Sequence, residues 1–214
     1  MYQRFIKRGL DLILSAAAIV ILSPVLIILA VWIKLDSPGP VLFKQKRVGR
    51  EHTYFTILKF RTMRTDTPSE VPTHLLANPE AYITSSGRFL RKSSLDELPQ
   101  IFNIFVGHMS IVGPRPALWN QYDLIAERDK NGASAARPGL TGWAQVNGRD
   151  ELDIETKARL DGEYCRNISF GMDMKCFVKS FSAVVTTKGV VEGGAGTLAG
   201  ASAGQTDARE TKDE

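Results

Sequence analysis

Leu12 to Ile33 forms a run of 22 residues without a charge, interrupted at its midpoint by Ser23-Pro24. As a helix, a run of that length crosses the hydrocarbon core of a bilayer, and it constrains the fold more than any other feature. Two forms satisfy it. One is a straight transmembrane anchor. The other is a re-entrant pair of helices, because Pro24 removes an amide donor and crowds the carbonyl of Val20. At that depth a neighbour such as the Ser23 hydroxyl can satisfy the freed backbone. Arg4, Lys7 and Arg8 precede the run, and Lys34, Lys44, Lys46, Arg47 and Arg50 follow it. Basic flanks favour the cytoplasmic side, and only a segment that dips in and returns puts both flanks there. The flanks lean toward the re-entrant form and leave the straight one open. The run is too long for a signal-peptide core, and no small-residue cleavage site follows it.

Charge divides the chain. Residues 1–64 hold 11 Lys/Arg against 3 Asp/Glu, whereas the remainder holds 16 against 20. A basic third beside an apolar segment suits anionic lipids or nucleotide phosphates. Basic-aromatic interleaving and known binding modules are missing, so no nucleic-acid partner is expected. Cys165 and Cys176 fit no paired-cysteine metal pattern and read as free thiols in a reducing compartment. His52, His74 and His108 are scattered along the sequence.

The expected fold class is α/β, mixed and mostly helical, in three parts. Residues 1–36 form an amphipathic lead-in (2–11) and the membrane segment, 37–188 a cytoplasmic domain, and 189–214 a disordered tail rich in small and charged residues. Asp36-Ser-Pro-Gly-Pro40 marks a turn. Residues 41–48 and 53–63 then read as a β-hairpin around Gly49. Alternation along the second strand puts Lys59 and Arg61 on one face, a pair suited to phosphate or merely to solvent. Residues 64–85 read as a loop and 89–92 as a short helix. A firmer helix covers 97–106, with Leu98, Ile101, Phe102, Phe105 and Val106 on one face and Gly107 ending it. Helices are expected at 117–130 and 153–167, with a Gly-rich loop at 137–149. From Met174 a further apolar stripe is either an interfacial membrane helix or a core helix.

Chemistry concentrates at Ser93-Ser-Leu-Asp-Glu-Leu-Pro-Gln100. Pro99 is tolerated only in a first helical turn, which places Asp96 at or near the N-cap. Asp96 could simply cap there, with Ser94 and Glu97 at capping-box spacing. The same position suits a reaction. A carboxylate at a helix N-terminus is held ionised and lies beside amides that receive phosphate, and an ionised Asp can attack phosphorus. Glu97 could reach a divalent cation bridging phosphate oxygens. Gly113-Pro-Arg-Pro116 clamps Arg115 between two rings, either as a rigid phosphate ligand or as a plain turn. The segment Gly139 to Arg149 offers glycines, Trp143 and polar side chains, for a nucleotide or for packing alone.

Taken together and in order, these motifs are specific. The chain resembles the bacterial sugar transferase family, the small monotopic polyprenol-phosphate phosphoglycosyl transferases, over about residues 2–188. The resemblance rests on Ser23-Pro24, Gly39 to Gly49, Lys59-Phe-Arg-Thr-Met63, Ser94 to Gln100, Gly113-Pro-Arg-Pro116 and Arg137-Pro-Gly-Leu-Thr-Gly142. It implies an enzyme that moves a sugar-1-phosphate from a UDP-sugar to polyprenyl (undecaprenyl) phosphate with Mg²⁺. UMP is released, in the first membrane step of glycoconjugate assembly.

By the same resemblance Asp96 is the nucleophile of a ping-pong reaction, and Glu97 is its metal-binding or proton-handling partner. Lys59, Arg61, Arg91 and Arg115 would clamp phosphates, and Gln145, Asn147 and Arg149 would contact nucleotide or sugar. The membrane segment would be re-entrant, as a helix-break-helix turning at Ser23-Pro24. The domain would carry interfacial amphipathic helices on the cytoplasmic face of the inner membrane, in contact with its lipids, and a homodimer is left open. One departure stands out: where the family often has Gly-Asp-Met-Ser, this chain has Gly107-His-Met-Ser110. Two rivals remain, a non-catalytic membrane-anchored scaffold for glycan assembly and a soluble Asp-dependent phosphatase.

Overall fold

The computed structural model describes residues 1–67, 79–148 and 151–186. Arg149, His74 and the 189–214 tail lie outside the described residues. After a π-helical turn at Tyr2–Ile6, helix α1 spans Lys7–Asp36 and runs unbroken through Pro24. The helix-break-helix expectation is corrected here to a single helix. The reason is local: Ser23 Oγ donates to the Val20 carbonyl at 2.8 Å, the group that Pro24 deprives of an amide partner.

Burial along α1 is confined to its ends. Lys7, Asp11 and Ser15 are buried at one end and Leu29 and Ile33 at the other, while Val20 and Ile21 are over 70% exposed. Arg8 donates to the carbonyls of Ile104 (2.7 Å) and Phe105 (2.8 Å). Leu29 and Ile33 cluster with Phe60 and Leu90, against which Leu98 packs. A straight helix would separate Arg8 from Leu29 by about 31 Å. Their partners Ile104 and Leu98 are only six residues apart. Both ends of α1 are thus held by the same domain, and the stretch around Pro24 between them is exposed.

The hairpin forms as expected. Strands β1 (Leu42–Val48) and β2 (Tyr54–Phe60) pair antiparallel, with Lys44 opposite Leu58 and Val48 opposite Tyr54. Side chains of β2 serve two cores, Phe55 and Ile57 facing Ile104 and Met109, and Phe60 facing α1. Helix α2 is Ser85–Ser93, longer than the expected 89–92 because the Thr84 hydroxyl caps it by accepting the Gly87 amide at 3.0 Å. Helix α3 is Gln100–Val106, stopped at Gly107 by a φ of 95°. Asn103 seals the outer edge of β2: it accepts the Leu58 amide (2.9 Å) and donates to the Thr56 carbonyl (2.8 Å).

The second half is wound around a parallel pair that periodicity did not reveal. Strand β3 (Ser110–Val112) lies beside β4 (Gly139–Thr141), within the stretch expected to be loop. Helices α4 (Tyr122–Lys130), α5 (Trp143–Val146), α6 (Ile154–Arg166) and α7 (Phe170–Thr186) surround it. Val112, Trp143, Leu160, Tyr164 and Cys176 form the core there. Arg128 Nε and Nη2 both donate to Asp161 Oδ2, tying α4 to α6. Helix α7 packs one face into the core and leaves an apolar face exposed. Asp173 and Cys176 are buried, whereas Phe170, Met174, Phe177 and Val178 remain exposed.

The β3–β4 crossing is too close for side chains. A Cβ on Gly142 would lie inside the contact radius of the Gly113 carbonyl oxygen, a backbone atom that cannot swing aside. Gly142→Ala is expected to cost about 3 kcal/mol or more, read as a drop in the denaturation midpoint.

Candidate active site

Asp96 and Glu97 lie one turn earlier than expected. Leu95–Glu97 is a separate 3₁₀ turn, and Pro99 is the N-cap of α3. Asp96 therefore does not cap α3, and Ser94 and Glu97 form no capping box. Ser94 instead takes a left-handed conformation (φ 56°) as the C-cap of α2, which swings the turn out of both helices. A non-glycine residue held there costs about 1–3 kcal/mol, a cost typical of functional turns.

Glu97 is clamped. Its Oε1 accepts from Lys59 Nζ at 2.7 Å and from Arg115 Nη2 at 2.8 Å. Burial raises its pKa, but Arg115 and Lys59 outweigh that and hold it well below the ordinary carboxylate range. Asp96 is treated differently. Its Oδ2 stands 3.8 Å from Lys59 Nζ, beyond hydrogen-bond range. Burial pushes its pKa up, the charges of Lys59, Arg91 and Arg115 pull it back, and Glu97 adds to the rise. Two adjacent carboxylates thus have opposite environments, one fixed in an ion-pair network and one left available.

Three of the four expected phosphate ligands converge here. Lys59 and Arg115 touch Glu97, and Arg91, whose Nε donates to Thr62 Oγ1 at 3.0 Å, adds its field to Asp96. Arg61 does not join them. Strand β2 ends at Phe60, alternation ends with it, and Arg61 turns inward. Its guanidinium donates to the carbonyls of Pro38 (2.5 Å) and Ser37 (2.8 Å) and to Ser37 Oγ (2.8 Å). Arg61 is therefore a buried brace for the turn after α1 and makes no hydrogen bond with the carboxylate pair among the described residues.

Among the described residues, Gln145 and Asn147 form no hydrogen bond with Asp96 or Glu97. Asn147 donates to the Trp143 carbonyl at 2.7 Å and accepts from Lys179 Nζ at 3.3 Å. Lys175 and Lys179 stand 4.6 and 4.8 Å over the Trp143 ring. Gln145 has both amide atoms buried without a hydrogen-bond partner among the described residues.

Sequence reasoning missed Arg47. It is partly buried beside the site, donating to the Pro116 carbonyl (3.0 Å) and to Gln45 Oε1 (2.6 Å). Burial and repulsion from Arg115 lower its pKa to about 10, with Glu97 opposing. The signal was available: Gln45 and Arg47 share a face of β1, but the basic run there was credited to the membrane.

No group of three or more His, Cys, Asp or Glu able to hold a metal occurs among the described residues. Two carboxylates at one turn nevertheless suit Mg²⁺, which takes one or two protein carboxylates and completes its shell with water and substrate phosphates. Glu97 Oε1 already has two cationic donors, which leaves the Asp96 carboxylate and Glu97 Oε2 for such an ion.

A family profile described as bacterial sugar transferase matches residues 2–187. The chain belongs to that family. UDP-glucose:undecaprenyl-phosphate glucose-1-phosphate transferase of Escherichia coli K12 is 41% identical over 185 residues, covering 81% of this chain and 39% of that protein. The UDP-N-acetylgalactosamine-undecaprenyl-phosphate N-acetylgalactosaminephosphotransferase of Aeromonas hydrophila is 36% identical over 190 residues, covering 85% of this chain and 44% of that sugar transferase. The exopolysaccharide production protein PSS of Rhizobium leguminosarum is 40% identical over 182 residues, covering 79% of this chain and 90% of that protein. The chain thus spans about two fifths of the first two and nearly all of the third.

Proposed function

We propose that this sugar transferase moves a sugar-1-phosphate from a UDP-sugar to a polyprenyl phosphate in two steps through Asp96. The observation that carries the reading is the asymmetry of the pair, with Glu97 held by Lys59 and Arg115 and Asp96 left 3.8 Å from Lys59 Nζ. Asp96 attacks the phosphorus bearing the sugar, the bond to the bridging oxygen breaks, and UMP leaves with that oxygen. An oxygen of the polyprenyl phosphate then attacks the same phosphorus. The aspartyl bond breaks, and Asp96 returns as a carboxylate. Lys59, Arg91 and Arg115 offset charge on the phosphate oxygens in both steps. Mg²⁺ held by Asp96 or Glu97 would neutralise the diphosphate and ease departure of UMP. The names of the relatives support undecaprenyl phosphate as the acceptor.

The membrane reading follows from α1. Apolar side chains clothe its exposed middle, and both ends return to one domain. A re-entrant segment with the domain on the cytoplasmic face fits that geometry and the basic flanks. Exposed Phe102, Phe105 and Val106 of α3, with Phe170, Phe177 and Val178 of α7, would lie in the interface. Cysteines introduced at positions 2 and 38 should both be labelled from the cytoplasmic side; labelling from opposite sides would establish a straight span.

The enzyme reading is tested by a UMP-release screen over UDP-sugars, with and without Mg²⁺ and polyprenyl phosphate. Release from one donor that needs both supports it. Lipid-independent hydrolysis would point to a phosphatase, and silence with every donor to a scaffold. The pH dependence has a definite sign. Asp96 must be ionised to attack, and its pKa is raised, so kcat/KM should fall as pH drops through a value above the ordinary 3.8. Glu97, held low, contributes no limb in that window. Arg115→Gln removes one of the charges lowering Asp96 and should move the limb to higher pH. An unmoved limb would assign it to another group.

A further inference from the structure

A second cationic cluster lies at the C-terminal end of α3, whereas the carboxylates sit on the turn before its N-terminus. Arg8 is anchored there by the Ile104 and Phe105 carbonyls, with its guanidinium against Gly107. His108 comes two residues before Ser110, whose amide donates at 2.9 Å to the carbonyl of Pro138, the residue after Arg137. The His108 ring packs on Phe55, 5.7 Å between centroids, and Phe55 in turn lies against Gly49, next to Arg50. Four basic side chains therefore surround one corner. Arg137 is partly buried and is repelled by Arg8 and Arg50, which with burial lowers its pKa. Among the described residues its guanidinium meets no carboxylate within ion-pair distance.

Three carboxylates border the corner and offset its charge only in part. Asp11 is buried and spends Oδ1 on the Ile111 amide at 3.0 Å. Glu51 pairs with Arg50 at 2.8 Å in an exposed contact of the kind that contributes little. Asp129 faces His52 at 3.2 Å. Immediately beside the cations, Phe105 and Val106 are 41% and 61% exposed. Cations next to outward-facing apolar side chains match the two chemistries of a lipid headgroup region.

We propose that Arg8, Arg50, His108 and Arg137, grouped at the C-terminal end of α3, form a binding site for the phosphate of an anionic membrane lipid, separate from the reaction centre. The site would set how the domain sits on the leaflet, with Phe105 and Val106 inserted beside it. It rests on the proposed membrane location of α1, not on the identity of the reaction.

The test uses the full chain purified in neutral detergent and doped with equal phosphatidylglycerol and phosphatidylcholine, with retained lipid counted by native mass spectrometry. Wild type should keep phosphatidylglycerol in preference. Arg50→Gln combined with Arg137→Gln should cut that retention about thirtyfold, at about 1 kcal/mol for each surface cation. The surface change His108→Asp, which leaves every arginine in place, should cut it about fivefold, and Arg137→Lys should preserve it. Equal retention of both lipids, or retention unmoved by the double variant and by His108→Asp, overturns the site. Displacement of the lipid by millimolar inorganic phosphate also overturns it, by assigning the corner to free phosphate. Asp96→Asn, assayed alongside, should keep the lipid while losing UMP release, so failure of the enzyme reading is seen separately.

Discussion

Asp96→Asn is expected to lower UMP release by about 10⁴-fold or more, because the carboxamide keeps the size of the side chain and loses its nucleophilicity. The neighbouring network should survive the change. Glu97 keeps Lys59 and Arg115, whose contacts at 2.7 and 2.8 Å do not involve Asp96. Asp96→Glu restores the charge and displaces it by a methylene, so a loss of about 10²-fold is expected instead. The adduct separates chemistry from folding. Wild type given donor without lipid should gain the mass of the sugar phosphate in intact-protein mass spectrometry, and Asp96→Asn should not. Wild-type turnover in Asp96→Asn would sink the assignment.

The second large effect is structural. Asp173 gathers three donors inside the protein: Lys7 Nζ at 2.6 Å and Tyr2 Oη at 2.7 Å on Oδ2, and Tyr164 Oη at 2.6 Å on Oδ1. Lys7 and Asp173 are each about one-tenth exposed, so the ion pair is nearly dry and each charge depends on the other. Asp173→Ala would leave the Lys7 ammonium buried without its counter-charge, at about 3–5 kcal/mol. Removing both charges, as Lys7→Met with Asp173→Leu, should recover most of that loss. Denaturant midpoints in detergent would read both, and a single variant within 1 kcal/mol of wild type would show that solvent reaches the pair. The link matters because it fastens the foot of α1 to α7.

Local signals read well from the sequence. Gly107 ended a helix, Gly49 marked the hairpin, and the apolar run was a helix. Non-local ones did not. The parallel strands β3 and β4 have three residues each, too few for alternation to show, and they pair across 29 positions. Arg61 looked like Lys59 because strand alternation was extended one residue past Phe60. Asp96 was placed on α3 by the Pro99 rule. That rule fixed where a helix can start and was silent about a 3₁₀ turn before it. Convergence of Lys59, Arg91 and Arg115 was suggested only by the order of motifs, since their distances depend on packing that no single segment encodes. Arg47 was visible as a charge and hidden as a neighbour.

The two natural cysteines bear on how the chain can be studied. Cys176 is fully enclosed and Cys165 donates to the Ala133 carbonyl at 3.4 Å; burial pushes both thiols up to about 11. At neutral pH only about one molecule in 10⁴ would carry either thiolate. Maleimide probes and spin labels should therefore react with engineered exposed cysteines well before either native thiol.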